Sequence, residues 1–243
     1  MKLNCDLGEK VNDNDHQIMP LIDLANIACG FHASDPLTMQ TTVQLAVDNN
    51  VIIGAHPSYP DKAGFGRRSM AFSSQELTAI IQYQVGALNS LCQNNNTQVS
   101  YVKPHGALYN DMMTNSDIFH TVCAAIAQLD SQLILMIQAL PDTQRFVAIA
   151  NQYNISLWFE AFADRAYDDE GCLVPRAQKG AVIHDVKEVV ARCQHLLNFK
   201  QLLSINNKVL NLQVDTLCIH GDTPTAVELA KQLNNLFSEK IIK

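Results

Sequence analysis

The order of apolar and amphipathic segments constrains the fold of this chain more than any other sequence feature. Seven apolar runs, rich in Val, Ile, Leu and Ala, recur along the 243 residues, with helix-like segments between them. Strands buried on both faces of a parallel sheet have this composition, and crossover helices connect such strands. The sequence therefore predicts an α/β fold with parallel strands. The predicted strands lie near residues 2–6, 24–29, 51–55, 99–103, 133–138, 156–161 and 214–219.

Capping signals mark where several connecting helices begin. Asp35 can cap a helix that has Pro36 at its first position, an arrangement preferred at helix N-termini. Ser73 and Glu76 have the spacing of a capping box. Apolar residues at helical spacing follow each signal, so each predicts an amphipathic helix. Further helix starts are predicted at Asn115 or Ser116, at Asp185 with Glu188, and at Thr223-Pro224.

Titratable side chains stand at the ends of the apolar runs. Asp6 ends the first run, Lys103 ends the fourth and Glu160 lies in the sixth. The carboxyl ends of parallel strands meet at one end of the sheet or barrel, where α/β enzymes do their chemistry. We therefore expect these groups to cluster at one end of a barrel. Four histidines close runs in the same manner: His32, His56, His105 and His220.

Length and composition limit the class of protein. A chain of 243 residues without an obvious linker predicts one barrel domain spanning residues 1–243. The net charge of −7 and the absence of a basic cluster argue against nucleic acid as a partner. No apolar run has the roughly 18–20 residues of a membrane span, and no secretory signal is recognised. Seven irregularly spaced cysteines suggest free thiols in a reducing cytoplasm.

Spacing within two strands indicates which side chains share a face. Asn4 and Asp6 are two residues apart, so both point to the same side, and so do Lys103 and His105. A buried lysine is costly unless it is paired or functional. Lys103 could bind an anionic oxygen, or it could form a structural ion pair with Asp6 or Glu160. The residues alone leave both interpretations open.

Other chemistries have weaker support in the sequence. Four strand-end histidines are enough to bind a metal, but no His-x-His or His-Glu-x-x-His spacing occurs, so no protein-bound metal is indicated and no ligands are assigned. No Gly-x-Ser-x-Gly and no Walker A sequence is present. Two long connections, 57–72 and 162–184, are predicted to be binding loops or lids. The first contains Gly64-Phe65-Gly66-Arg67, whose arginine suits a carboxylate or phosphate.

Seven sequence blocks together resemble the LamB/YcsF family. They run in order along the whole chain, and several are long enough to be specific. The blocks are NCDLGE at 4–9, ANIACGFH at 25–32, GAHPSYPD at 54–61, GFGRR at 64–68, VKPHGALY at 102–109, FADRAY at 162–167 and IHGDTP at 219–224. The chain departs from the family pattern after Glu9, where residues 10–15 form a shorter stretch without glycine, and at Ser34, where glycine is common.

The resemblance implies both a fold and an activity. The fold would be a TIM-like, seven-stranded incomplete (β/α) barrel, similar to the glycoside hydrolase/deacetylase superfamily. The family comprises the A component of bacterial ATP-dependent 5-oxoprolinase. The resemblance thus implies hydrolysis of the lactam of 5-oxo-L-proline to L-glutamate with cleavage of ATP, which enters with Mg²⁺ as cosubstrate. It also implies partner subunits B and C, and a homo-oligomer is a further option.

Lactam chemistry gives the candidate residues roles. A general base for water could be Asp6 or a neutral histidine. Lys103, Arg67 and imidazoles could stabilise developing negative charge, and Arg67 or Arg165 could bind the substrate carboxylate. We assign catalysis to Asp6, His32, His56, Lys103 and His105. We assign substrate binding to Asn4, Arg67, Glu160, Arg165 and His220.

Two alternatives remain open at this stage. The related fold also suits a metal-dependent deacetylase of sugars or amides, which metal analysis would reveal. The chain could also be a non-catalytic binding subunit with a site inherited from an enzyme, and assays with and without partner subunits would decide.

Overall fold

Seven parallel strands close into a barrel within the part of the chain that the structure describes. The structure is a computed structural model and describes residues 1–11, 14–219, 221 and 225–241. Each barrel strand pairs in parallel with its neighbours, and pairing of the first with the last closes the ring. The predicted seven-stranded TIM-like barrel is thus confirmed. The strands are β1 (Lys2–Leu7), β2 (Leu24–Ala28), β3 (Ile52–His56), β4 (Tyr101–Val102), β5 (Ile134–Gln138), β6 (Ser156–Phe162) and, last in the chain, β9 (Thr216–Ile219).

Helices cover the outside of the barrel, and their caps explain which were predictable. Asp35, Ser73, Asn115 and Asp185 each accept hydrogen bonds from the first turn of the helix that they precede. These caps begin α2 (Pro36–Asp48), α3 (Ser74–Gln93), α5 (Ser116–Leu129) and α7 (Val186–Phe199). The expected cap at Thr223-Pro224 involves residues outside those described, before α8 (Ala226–Ile241). No described helix is both long and apolar enough to cross a membrane.

The sequence did not predict three helices and two strands. None of the three helices has a hydrogen bond to the side chain of its N-cap residue, although Asn14 and Thr143 are of types that often cap helices. The two strands have three residues each and pair antiparallel outside the barrel, joined by a turn with Asn207 at φ 64°. These elements are α1 (Asp15–Ile18), α4 (Gly106–Thr114), α6 (Gln144–Gln152), β7 (Gln201–Leu203) and β8 (Val209–Asn211).

The fourth strand is shorter than the predicted span of 99–103. Only Tyr101–Val102 has regular strand geometry, because Pro104 has no N–H with which to continue the ladder. The N–H of Lys103 nevertheless donates to the carbonyl of Ala55 at 2.9 Å. Lys103 therefore keeps the alternation of the strand and points into the barrel.

An apolar floor closes the amino end of the barrel. Tyr101 packs there with Leu24 and Met136 in a buried cluster. Its ring occupies the space beside Gly54, where a Cβ would lie 2.2 Å from the ring. Its hydroxyl donates to the Oδ1 of Asn26 at 2.7 Å. Inward-facing side chains thus change from apolar to polar towards the carboxyl ends of the strands.

One long excursion leaves and re-enters the barrel between β6 and β9. It contains a loop from residue 163, then α7, β7 and β8. Its two ends lie side by side, since the N–H of Ala163 donates to Cys218 at 3.0 Å and the N–H of Asp215 donates to Phe159 at 2.8 Å. The sheet therefore closes without any strand from the excursion.

Candidate active site

A cavity of about 510 Å³ opens at the carboxyl ends of the strands. The described residues that line it come from the barrel strands, the loop after β3, helix α4 and the loop after β6. Ten side chains give the cavity its chemistry: Asp6, Glu9, His56, Phe65, Arg67, Lys103, His105, Tyr109, Arg165 and Arg176.

Lys103 lies at the bottom of the cavity between two carboxylates. Its ammonium is 2.8 Å from Oδ1 of Asp6 and 2.9 Å from Oε1 of Glu160. Oε1 of Glu160 has no hydrogen-bond partner among the described residues. Its contact with Lys103 is therefore an ion pair that lacks hydrogen-bond geometry. Burial opposes the charged form, but Asp6, the Cys218 sulfur and Glu160 outweigh it, and the pKa of Lys103 lies well above its usual value. Lys103 is therefore a buried ammonium.

The two oxygens of Asp6 face different groups. Oδ1 accepts hydrogen bonds from Lys103 and, at 2.7 Å, from the side-chain amide of Asn26. Oδ2 lies 3.4 Å from Nε2 of His56. The amide of Asn26 also donates to Asn4 at 2.8 Å, and Asn4 is fully buried below Asp6. Asn26 and Asn4 thus support Asp6 from the barrel interior.

His56 and His105 are in direct contact above Asp6. Nε2 of His56 lies 2.9 Å from Nδ1 of His105. The other nitrogen of each ring meets a backbone carbonyl: Nδ1 of His56 contacts Lys103 at 2.6 Å, and Nε2 of His105 contacts Phe65 at 2.9 Å. Burial first, and then the nearby imidazoles, hold the pKa of His105 well below its usual value. The ring of His105 is accordingly neutral.

His32 lies behind His105 and contacts the carboxylate of Glu9. The two imidazoles stack with centroids 3.7 Å apart and planes 5° apart. Nε2 of His32 is 2.9 Å from Oε1 of Glu9, and this oxygen is 3.5 Å from Nδ1 of His105. Burial, and then His56, lower the pKa of His32 well below its usual value. His32 thus holds Glu9 at the cavity wall.

The loop after β3 closes tightly over the start of α4 and fixes the histidines. The carbonyl of Gly66 accepts a hydrogen bond from the N–H of Ala107 at 2.8 Å. This approach requires a glycine at position 106, where φ is +59° and a Cβ would lie 2.4 Å from that carbonyl. His105, immediately before Gly106, is therefore held between two chain segments.

Three arginines line the cavity: Arg67 and Arg176 are exposed, and Arg165 is buried. The guanidinium of Arg67 packs over the ring of Phe65 at 5.0 Å. Arg165 is buried and donates to the carbonyls of Val174 at 2.7 Å and Ala181 at 3.3 Å. Burial, and then the charge of Arg176, lower the pKa of Arg165 to about 10. Arg165 therefore holds the second long loop as well as facing the cavity.

The structure brings together nine of the ten residues singled out from the sequence. Asn4, Glu160 and His32 belong to the same polar cluster but lie outside the cavity lining, and His220 lies outside the described residues. Sequence reasoning assigned no role to Glu9, Asn26 or Tyr109. Tyr109 donates to Glu160 at 3.0 Å, and Asn26, a polar residue inside an apolar run, carried the same signal as Lys103.

The barrel is parallel, and its cavity holds carboxylates, imidazoles and basic side chains at the carboxyl ends of the strands. These features define the general class: a (β/α)-barrel protein with an enzyme-like site. The family follows from comparison with known proteins. The model of the LamB/YcsF family matches residues 1–243. The chain belongs to the LamB/YcsF family, as its motifs predicted.

Named relatives and a solved structure agree with this assignment. The chain is 46% identical over 243 residues to the A component of 5-oxoprolinase from Vibrio cholerae serotype O1, with 98% of both chains covered. It is 46% identical over 242 residues to the corresponding 5-oxoprolinase component of Pseudomonas fluorescens, covering 98% of this chain and 97% of that one. The crystal structure of lactam utilization protein from Thermus thermophilus matches with a TM-score of 0.90 and 34% identity, covering 99% and 96% of the two chains.

Proposed function

We propose that this chain is the lactam-opening subunit of an ATP-dependent 5-oxoprolinase, a hydrolase that converts 5-oxo-L-proline to L-glutamate. The observation that carries the proposal is the pairing of Lys103 with Asp6 at the bottom of a cavity with arginines on its wall. A small acid with an amide carbonyl needs both features, a cation for its carboxylate and a polar centre for its carbonyl. The names of the relatives from Vibrio cholerae and Pseudomonas fluorescens supply the substrate class.

The chemistry needs activation because a lactam is a stabilised amide. In the proposed sequence ATP transfers its γ-phosphoryl group to the lactam oxygen, and water then adds to the ring carbon. The ring C–N bond breaks and the nitrogen takes up a proton, which leaves an acyl phosphate on the side chain of glutamate. A second water hydrolyses this acyl phosphate to the carboxylate of glutamate and free phosphate. Mg²⁺ enters with the phosphates of ATP, because it prefers oxygen ligands and retains its waters.

The residues of this chain would orient the lactam and move protons. Lys103 supplies a buried positive charge that stabilises negative charge on the lactam oxygen. Asp6, or an imidazole such as that of His56, takes the proton from water. Arg67, an exposed residue on the cavity wall, would bind the substrate carboxylate.

Partner subunits B and C complete the proposed enzyme. The sequence of this chain contains no Walker A motif, so we place the binding of ATP with the partners or at a shared surface. The seven cysteines are free thiols, which suits a complex working in a reducing cytoplasm. We also propose that residues 1–243 act as one barrel domain.

The test is release of glutamate from 5-oxoproline and ATP. We expect turnover by this chain mixed with subunits B and C, and little or none by this chain alone. Turnover by B and C without this chain would contradict the proposal, and so would full ATP-dependent turnover by this chain alone. Lys103→Met is the matched inactive variant, provided that it co-purifies with the partners.

A further inference from the structure

Two backbone carbonyls fix the protonation of His56 and His105. A carbonyl oxygen can only accept a hydrogen bond, so the ring nitrogen that faces it must carry the proton. Nδ1 of His56 therefore donates to the carbonyl of Lys103, and Nε2 of His105 donates to the carbonyl of Phe65. When such a ring carries a single proton, its other nitrogen has a lone pair.

These two lone pairs face each other. Nε2 of His56 and Nδ1 of His105 are 2.9 Å apart, a distance at which two unprotonated nitrogens repel. Two carboxylate oxygens extend the cluster: Oδ2 of Asp6 is 3.4 Å from the His56 nitrogen, and Oε1 of Glu9 is 3.5 Å from the His105 nitrogen. The four electron-pair donors thus follow one another in the order Asp6, His56, His105 and Glu9, and a cation bound among them would offset the repulsion between the two nitrogens.

The spacing of these donors matches a metal coordination shell. Zinc binds histidine nitrogens at about 2.0–2.1 Å and carboxylate oxygens at about 2.0–2.2 Å, so neighbouring ligand atoms are about 3–3.5 Å apart. The separations between successive donors, 2.9, 3.4 and 3.5 Å, fall in or next to this range, and the ligand atoms of Glu9, His56 and His105 all lie within 4.8 Å of one another. Metal-bound histidines usually donate their other N–H to a carbonyl or carboxylate, as His56 and His105 do.

His32 is close to the cluster but is not a suitable ligand. A bound ion lies near the plane of each imidazole that coordinates it. The rings of His32 and His105 are parallel and stacked 3.7 Å apart, so one ion cannot lie in both planes. Nε2 of His32 instead donates to Glu9, which leaves Nδ1 as the nitrogen without a partner among the described residues. His32 is a positioning residue for Glu9.

We propose that Asp6, Glu9, His56 and His105 bind one divalent transition-metal ion, with Zn²⁺ as the best fit. Two imidazole nitrogens and two carboxylate oxygens suit zinc and related first-row metals, whereas Mg²⁺ prefers oxygen ligands alone. All four residues line the cavity, so a water or a substrate oxygen can approach the ion. The metal proposal can be tested independently of the proposed oxoprolinase reaction, because metal binding is measured on this chain alone.

The test uses Co²⁺ as a coloured probe for the zinc site. The full chain is stripped of metal with EDTA, dialysed and titrated with CoCl₂. We expect saturation at one equivalent, a visible d–d spectrum of nitrogen and oxygen ligation, and displacement by Zn²⁺. Asp6→Asn and His56→Gln should each weaken binding by more than about 100-fold, and His32→Gln by about 10–100-fold because Glu9 loses the group that orients it.

Controls separate a built site from surface binding and from misfolding. His184→Gln removes an exposed histidine and should bind Co²⁺ like the parent chain. Melting curves of the metal-free variants show whether each is folded, and the nearly isosteric Asp6→Asn serves if His56→Gln is not. If the folded parent chain binds no Co²⁺ in saturable fashion, or if Asp6→Asn binds it as tightly as the parent, the metal site is refuted and the two imidazoles share a proton instead.

Discussion

Replacing Lys103 with methionine tests the energetics of the barrel interior directly. Lys103 is 2% exposed, and its ammonium contacts two carboxylates, one of which, Glu160, is fully buried. Methionine fills a similar volume but leaves Glu160 and Asp6 without their cation. Removing one partner of a buried ion pair costs about 3–5 kcal/mol. For a chain of this size that corresponds to a fall in Tm of roughly 6–20 °C.

A second substitution identifies the cause of that loss. In Lys103→Met/Glu160→Gln the buried charge is gone, while the new amide oxygen can still accept the hydroxyl of Tyr109. We expect the double variant to recover about half of the lost free energy of unfolding, since much of the penalty is the stranded carboxylate. Lys187→Met, at an exposed helix position, should change stability by no more than about 0.5 kcal/mol.

The assay is urea unfolding followed by circular dichroism, with melting curves, in the presence of EDTA. Chelation keeps any bound metal from masking the charge of Asp6. A Lys103→Met variant that melts within about 2 °C of the parent would refute the argument. So would a double variant less stable than Lys103→Met.

Three further predictions concern the site and the floor of the barrel. Asp6→Asn should lower turnover of the reconstituted complex by about 10²–10⁴-fold with Tm nearly unchanged; early melting with full specific activity would make Asp6 structural. Gly54→Ala should destabilise the chain by about 1–3 kcal/mol or more, because its Cβ would lie 2.2 Å from the buried Tyr101 ring. Gly86→Ala, whose Cβ would meet no described atom within 4 Å outside the backbone of its own helix, should stabilise α3 by about 0.5–1 kcal/mol, and equal urea midpoints for the two alanine variants would contradict this. Arg67→Met should raise KM for 5-oxoproline about 10–100-fold without changing Tm, and an unchanged KM would place the carboxylate elsewhere.

The barrel was predictable because its strands are continuous apolar runs. Burial on both faces leaves a compositional signal that does not depend on distant contacts. The hairpin of β7 and β8 leaves no such signal, because three-residue strands alternate and face solvent on one side. Helix α4 was missed for a local reason, because the side chain of His105 at its N-cap makes no capping hydrogen bond.

Within the site, only the residues at the ends of strands could be predicted from the sequence. Asp6, His56 and Lys103 end their strands, so convergence at the mouth follows from topology. Glu9 lies beyond its strand, and only the folded turn brings it to His32. The protonation of the histidines depends on which carbonyls face their rings, and no sequence pattern encodes those distances.

The excursion between β6 and β9 separates the wall of the cavity from its chemical centre. Leu173, Pro175 and Arg176 of this excursion line the cavity, while the barrel sheet closes beneath through β6 and β9 alone. Because the excursion departs and returns at adjacent points, loops of other length or sequence can be exchanged there without breaking a backbone hydrogen bond between the barrel strands. Selectivity for the shape of a substrate can therefore diverge between relatives, or be engineered by loop grafting, while the Asp6–Lys103 pair remains in place.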